Sequence, residues 1–283
     1  MRHLASFAPL ADEHDGFILD LWGVIHDGVR TYNGAVDCLA RLRAAGRRVV
    51  FLSNAPRRAE PVRDGLRAMG IADELYDGVI TSGEVVHAML RDRPDPWWRA
   101  LGNQLYHIGP ERDRTVFANL GLDEVTDPAH AGFVLNTGPD DGVNPVDPAA
   151  FDDVLRACCH AGLPMICANP DLEVIRSGVR VVCAGTLAQR YGEMGGEVCA
   201  VGKPDPAIYG PVLDVLGAPS DRVLAVGDAL RTDIAGATAA GIASAWVLGG
   251  IHEEHLGESR EEIEAEAAAA GLSPVATLPR FVW

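Results

Sequence analysis

The chain has 283 residues, 48% of them hydrophobic, which is enough for one large core or two ordinary ones. Asp plus Glu number 40 against 24 Lys plus Arg, a net charge of −16. So acidic a chain repels a nucleic-acid backbone, yet it can still take a small phosphate if a divalent cation sits in the site. No apolar run approaches the roughly 18–20 residues of a membrane span, and Met1 to Ser6 lead into no apolar signal segment, so a cytoplasmic protein is expected.

The first elements alternate. Gly16-Phe17-Ile18-Leu19-Asp20-Leu21 reads as a buried strand. Val36 to Ala45 reads as a helix with Leu39, Leu42 and Ala45 on one face and Gly46 as its stop. Arg48 to Ser53 is the next strand, Pro61 to Met69 a helix closed by Gly70, Gly78 to Thr81 a third strand, and Glu84 to Leu90 the start of another helix. This order specifies a doubly wound α/β parallel sheet with helices on both faces.

The middle of the chain has its own strands at Gln104–Ile108, Gly132–Leu135 and Pro164–Ala168, with a helix over Phe151–Ala161. The Pro-rich segment Arg91 to Trp98 reads as a surface loop. Periodicity leaves open whether this block extends the first sheet or forms a separate domain. The alternation resumes with a strand at Val198–Val201, a helix at Ala207–Leu216, a strand at Val223–Val226, a helix at Ile234–Ala240 and a strand at Ala243–Leu248. The acidic, Ala-rich stretch Glu258 to Ala270 reads as one more surface helix.

Six cysteines (Cys38, Cys158, Cys159, Cys167, Cys183 and Cys199) form no Cys-x-x-Cys pair and no zinc spacing. They read as buried, reduced thiols, which fits the cytoplasm.

Ligands of open parallel sheets bind beyond the carboxyl ends of the strands. Asp20, Ser53-Asn54, Lys203 and Asp228 stand at four such ends. A carboxylate can attack phosphorus and form an acyl-phosphate. Its attack on an anion needs neutralisation, which Mg²⁺ and a lysine supply, while a hydroxyl and backbone N–H groups orient the phosphoryl oxygens. Asp228 and Asp233 lie about one helical turn apart at a strand-to-helix junction, so both can face one ion.

The order Asp20-Leu21-Trp22-Gly23-Val24, Leu52-Ser53-Asn54, Gly202-Lys203-Pro204 and Gly227-Asp228 to Thr232-Asp233 resembles the four motifs of the haloacid dehalogenase superfamily. Thr81-Ser82-Gly83-Glu84 and Asn169-Pro170-Asp171 resemble its class IIA branch of p-nitrophenyl-phosphate and sugar-phosphate phosphatases. The resemblance spans most of the chain. It implies a core of residues 1–82 and 186–283, with residues 83–185 inserted as an α/β cap. It also implies Asp20 as nucleophile, Ser53 and Lys203 holding the phosphoryl group, and Mg²⁺ held by Asp20, the backbone carbonyl of Trp22, Asp228 and Asp233. Asn54, Asn169 and Asp171 would take part in substrate binding. The implied partner is a small phosphorylated, sugar-phosphate-like metabolite, with no nucleic acid or membrane, and a homodimer is compatible with it.

One departure stands out. Phosphatases of this family carry a second Asp two residues after the nucleophile as general acid and base, and here that residue is Trp22. Indole does neither job at neutral pH. His26 and Asp27 are candidates to replace the acid; the alternative is that they shape a turn at Asp27-Gly28. Three functional readings follow: an active phosphatase with a restricted range of leaving groups, a catalytically weak phosphate-binding or regulatory protein, and a C-halogen hydrolase, since dehalogenases of the superfamily also carry an aromatic residue there. The carboxylates at 228 and 233 favour phosphate. His252 and His255 read as surface residues.

Overall fold

The computed structural model describes residues 1–140, 147–176, 179–250 and 259–283, with the backbone alone at 175, 176 and 179. The chain groups into two units, one of Met1–Ser53, Val62–Ile80 and Lys203–Trp283, the other of Asn54–Pro61 and Thr81–Gly202. His252, His255 and Glu258 lie outside the described residues.

The strands in chain order are β1 (Arg2–His3), β2 (Gly16–Leu19), β3 (Arg48–Ser53), β4 (Gly78–Thr81), β5 (Gln104–Ile108), β6 (Asp123–Glu124), β7 (Phe133–Asn136), β8 (Met165–Cys167), β9 (Glu173–Arg176), β10 (Val179–Val182), β11 (Val198–Ala200), β12 (Val223–Gly227), β13 (Ala243–Val247) and β14 (Ala276–Leu278). The first unit holds a seven-stranded sheet of order β1-β14-β13-β12-β2-β3-β4. Its centre is parallel, with Leu19 level with Val226 on one side and Phe51 on the other. β2 and β12 are buried along their whole length, which is why their sequences are continuous apolar runs rather than alternating ones.

The second unit has a separate parallel sheet of order β11-β8-β7-β5-β6 and an antiparallel β9–β10 pair. Successive residues of β7 face opposite sides. Phe133 and Leu135 pack with Val86, Leu90 and Trp98, while Val134 packs with Leu155, Leu187 and Tyr191. Helices therefore cover both faces, as a parallel sheet requires.

Two expectations are corrected. Residues 186–202 were assigned to the core, but β11 pairs with β8 at Val198↔Met165 through Ala200↔Cys167, and the helix Ala184–Glu193 packs on the second unit's sheet. A short parallel strand has the same apolar signature in either sheet, so periodicity leaves its sheet open, and the bounds implied by the resemblance put it in the other one. The segment Arg91 to Trp98 is not all loop. Asp95 caps a short helix, Pro96–Ala100, accepting the N–H groups of Trp97 and Trp98, and Trp98 is buried. The strands β1, β6, β9, β10 and β14 were not anticipated; they are two to four residues long and carry little pattern. Among the described residues no helix is long and apolar enough to cross a membrane.

Candidate active site

From β2 the sheet grows through β3 and β4 in one direction and through β12, β13 and β14 in the other. The β2–β12 pair is thus the topological switch point, where loops diverge and leave a crevice beyond the carboxyl ends. Asp20 is the first residue after β2, and its N–H donates to the Val226 carbonyl at 2.9 Å. Asp228 is the first residue after β12 and Ser53 the last of β3, so the parallel register brings all three to one edge. Asp233 sits in a single wide turn, Leu230–Ile234, that leads into the helix Ala235–Ala239. Its Oδ2 accepts the Ala229 N–H at 3.1 Å, which ties the carboxylate back to the strand end.

Lys203 joins them. Its ammonium donates to Asp20 Oδ1 and Asp233 Oδ1, each at 2.6 Å, and to the Leu52 carbonyl at 3.0 Å. Only 4% of the residue is exposed, so the charge is sustained by these acceptors rather than by water. One carboxylate oxygen from each of Asp20, Asp228 and Asp233 lies within 4.8 Å of the others. Three hard oxygen donors with no sulfur or imidazole among them suit a hard divalent cation.

Glycines make this packing attainable. Gly23 has φ +80, and a Cβ there would lie 1.9 Å from Asp228 Oδ2; one on Gly250 would lie 2.2 Å from the same oxygen. Backbone therefore closes on the Asp228 carboxylate from two sides. Trp246, which the sequence reading did not single out, fixes the Asp228 backbone by donating its Nε1–H to the carbonyl at 2.9 Å. Its only sequence signal was an indole on a buried strand, where the N–H must find an acceptor.

The loop after Asp20 is organised around Trp22. The indole stacks edge-on against His26 with ring centroids 5.4 Å apart, and it covers Gly28, where a Cβ would lie 2.1 Å from the ring. His26 is buried, and its Nδ1 accepts the Gly28 N–H at 3.0 Å. Burial pushes the imidazole down to about 4, so it is neutral at physiological pH. Asp27 Oδ1 accepts the N–H groups of Val29 and Arg30 at 2.9 and 2.8 Å, and its carboxyl lies below the usual range. Against the opposing effect of desolvation, these hydrogen bonds and Arg30 hold the carboxylate ionised. Both residues are thus engaged in shaping the turn.

Asn54, Asn169 and Asp171 form a separate cluster, within the second unit. Asn54 Nδ2 donates to Asp171 Oδ1 at 2.9 Å, the Asp171 N–H donates to Asn169 Oδ1 at 3.0 Å, and Ser82 Oγ donates to Asn54 Oδ1 at 3.3 Å.

Residues 17–123 match the family model described as haloacid dehalogenase-like hydrolase, and residues 200–274 match one described as HAD-hydrolase-like. Chronophin of Rattus norvegicus is 27% identical over 281 residues, covering 94% of this chain and 84% of its own length. A solved haloacid dehalogenase-like hydrolase from Brucella suis 1330 has a TM-score of 0.84 at 29% identity, covering 99% of this chain and 100% of that one. The glycerol phosphate phosphatase of Mycobacterium tuberculosis, solved in complex with calcium, has a TM-score of 0.66 at 26% identity over 86% of this chain and 68% of that one. The chain belongs to the haloacid dehalogenase-like hydrolases, and within them to the phosphatases.

Proposed function

We propose that the protein is a Mg²⁺-dependent phosphohydrolase of small phosphorylated metabolites, working through an aspartyl-phosphate on Asp20. The observation that carries this reading is the position of Asp20, at the sheet's switch point, with Lys203 on its Oδ1 and two further carboxylates beside it.

In the first step the Asp20 carboxylate attacks phosphorus, the bond to the leaving oxygen breaks, and that oxygen departs with the electron pair. In the second, water attacks the phosphorus of the aspartyl-phosphate, releasing inorganic phosphate and restoring the carboxylate. Lys203 and Ser53 hold the phosphoryl oxygens and offset charge. Asp20, Asp228, Asp233 and the Trp22 carbonyl would hold Mg²⁺, which supplies further neutralisation when bound.

The Trp22 indole does not release its N–H proton at neutral pH, neutral His26 accepts a backbone N–H, and ionised Asp27 holds two more. The leaving group therefore departs as an anion, which favours leaving groups of low pKa. The second unit, inserted in the sequence of the first, takes the role of the cap whose closure excludes water.

A screen of phosphorylated metabolites and 2-haloacids, with and without Mg²⁺, tests the reading. Metal-dependent release of phosphate supports it. Metal-independent release of halide would replace it with the dehalogenase reading, and tight phosphate binding without turnover would replace it with the regulatory one.

A further inference from the structure

The second unit is entered from the first at Asn54 and again at Thr81, and left at Pro61 and at Gly202. Residues beside three of these four passages, those at Asn54, Thr81 and Gly202, meet around one side chain. Asn54 Oδ1 accepts from Ser82 Oγ, and Asn54 Nδ2 donates to Asp171 Oδ1. Gly202 presses its backbone onto the same place, since a Cβ there would lie 2.6 Å from Asn54 Oδ1, 2.6 Å from Ser82 Oγ and 2.8 Å from Pro170 Cδ. The carboxamide of Asn54 is buried, so breaking either bond leaves a polar atom with little access to water. The flanking segments are held as well. The Gly83 N–H donates to the Ala55 carbonyl at 3.1 Å, and Glu84 accepts from both Arg58 and the Ala59 N–H.

Asn54 is one peptide bond from Ser53, and Gly202 is one peptide bond from Lys203. We infer that Asn54 is a positioning residue: its bridge between Ser82 and Asp171 sets the backbone from which Ser53 and Lys203 reach the phosphoryl group. The inference rests on the phosphatase reading for the roles of Ser53 and Lys203. Asp171 then acts through Asn54, in addition to any contact with substrate. A displacement of about 1 Å at a reacting centre costs up to roughly 10²-fold in rate, so a bridge remote from the chemistry can matter.

The test compares Asn54→Ala, Asp171→Ala, the double variant and Asp171→Asn, which keeps an oxygen for Asn54 Nδ2. Three measurements are made: kcat/KM for an aryl and an alkyl phosphate, the calorimetric affinity for inorganic phosphate with Mg²⁺, and hydrogen exchange in peptides covering 53–55 and 202–203. Both Ala variants should lose roughly tenfold or more in kcat/KM, by the same factor for either substrate, and weaken inorganic phosphate similarly. The double variant should lose no more than the worse single one. Asp171→Asn should keep the native exchange in both peptides and lose less in kcat/KM than Asp171→Ala, while exchange should rise in both peptides of the Ala variants. Losses that multiply, an Asp171→Ala effect confined to one substrate, or unaltered exchange at 53–55 would overturn the proposal. If Asn54→Ala does not fold, Asp171→Ala at its half-buried position carries the test alone. Failure of the phosphatase reading shows on the native protein, as no metal-dependent release of phosphate from any phosphorylated metabolite, while the exchange measurement still judges the bridge.

Discussion

The ammonium of Lys203 lies 2.6 Å from Asp20 Oδ1 and 2.6 Å from Asp233 Oδ1, so a single buried cation ties the carboxylate beyond β2 to the one in the turn beyond β12. With Asp228 the group holds three carboxylates against one ammonium, an excess of two negative charges that a divalent cation would balance. Lys203→Met removes the cation and leaves its carboxylates uncompensated. Breaking a buried pair in this way costs about 3–5 kcal/mol, so Tm should fall markedly in EDTA and partly recover in Mg²⁺. Equal melting of the variant and the native protein in EDTA would show that Lys203 does not sustain the cluster.

Asp20→Asn should fold normally and lose at least about 10³-fold in turnover, because a neutral amide is a poor nucleophile toward phosphorus. Acid-quenched native protein should carry a labile phosphoryl group on Asp20, seen by mass spectrometry after borohydride reduction. Native rates in the variant would exclude the covalent route.

Chelation by EDTA should abolish hydrolysis, and Mg²⁺ should restore it. Asp228→Asn should raise the Mg²⁺ concentration needed for half-activity by more than roughly tenfold, since it converts a charged ligand into a neutral one. Full activity in EDTA would remove the metal from the mechanism.

His26 and His107 are both pushed down to about 4 by burial, and His107 Nε2 lies 2.9 Å from Thr137 Oγ1, with Glu124, Arg114 and Asp140 as its charged surroundings. Their native values lie below the unfolded value near 6.5, so the unfolded chain binds more protons between those limits. Stability should be complete above about pH 6.5 and fall as pH drops toward 4, by up to about 3 kcal/mol for each histidine. Urea unfolding at pH 7 and pH 5 should show the loss, and His107→Gln should reduce it. Neither ring should contribute a limb to the activity profile between pH 6 and 8.

Trp22 makes the leaving group decisive. Cleavage of p-nitrophenyl phosphate should greatly exceed that of a hexose phosphate, and hydrolysis of the aspartyl-phosphate should be slow enough to give a burst of alcohol. Trp22→Asp should speed the hexose phosphate more than the aryl one, by up to roughly 10²-fold, the scale of general acid catalysis. Single-turnover rates for both substrates in both proteins decide it. Fast, equal cleavage by the native chain would mean that another group donates the proton.

The parallel sheet and the strand-end residues Asp20, Ser53 and Asp228 were legible because buried parallel strands read as apolar runs and polar groups stand where those runs stop, whereas Lys203 follows a strand of the other sheet and meets Asp20 only through folding. None of the six cysteines is disulfide-bonded; Cys38, Cys158, Cys167 and Cys183 are buried as read, whereas Cys159 and Cys199 are only half-buried. The turn at Asp27-Gly28 was legible only as one of two alternatives. Its backbone hydrogen bonds, and the Trp22 ring lying over Gly28, came from folding. Which sheet would accept Val198–Ala200, which carbonyl would face Trp246 Nε1, and that Asn54 would meet Ser82, Asp171 and Gly202 were decided by tertiary structure. Spacing along the chain records the period of an element and the residues at its ends. Pairing between strands 33 residues apart, or a hydrogen bond spanning 117, depends on which surfaces pack, and no local pattern encodes that choice.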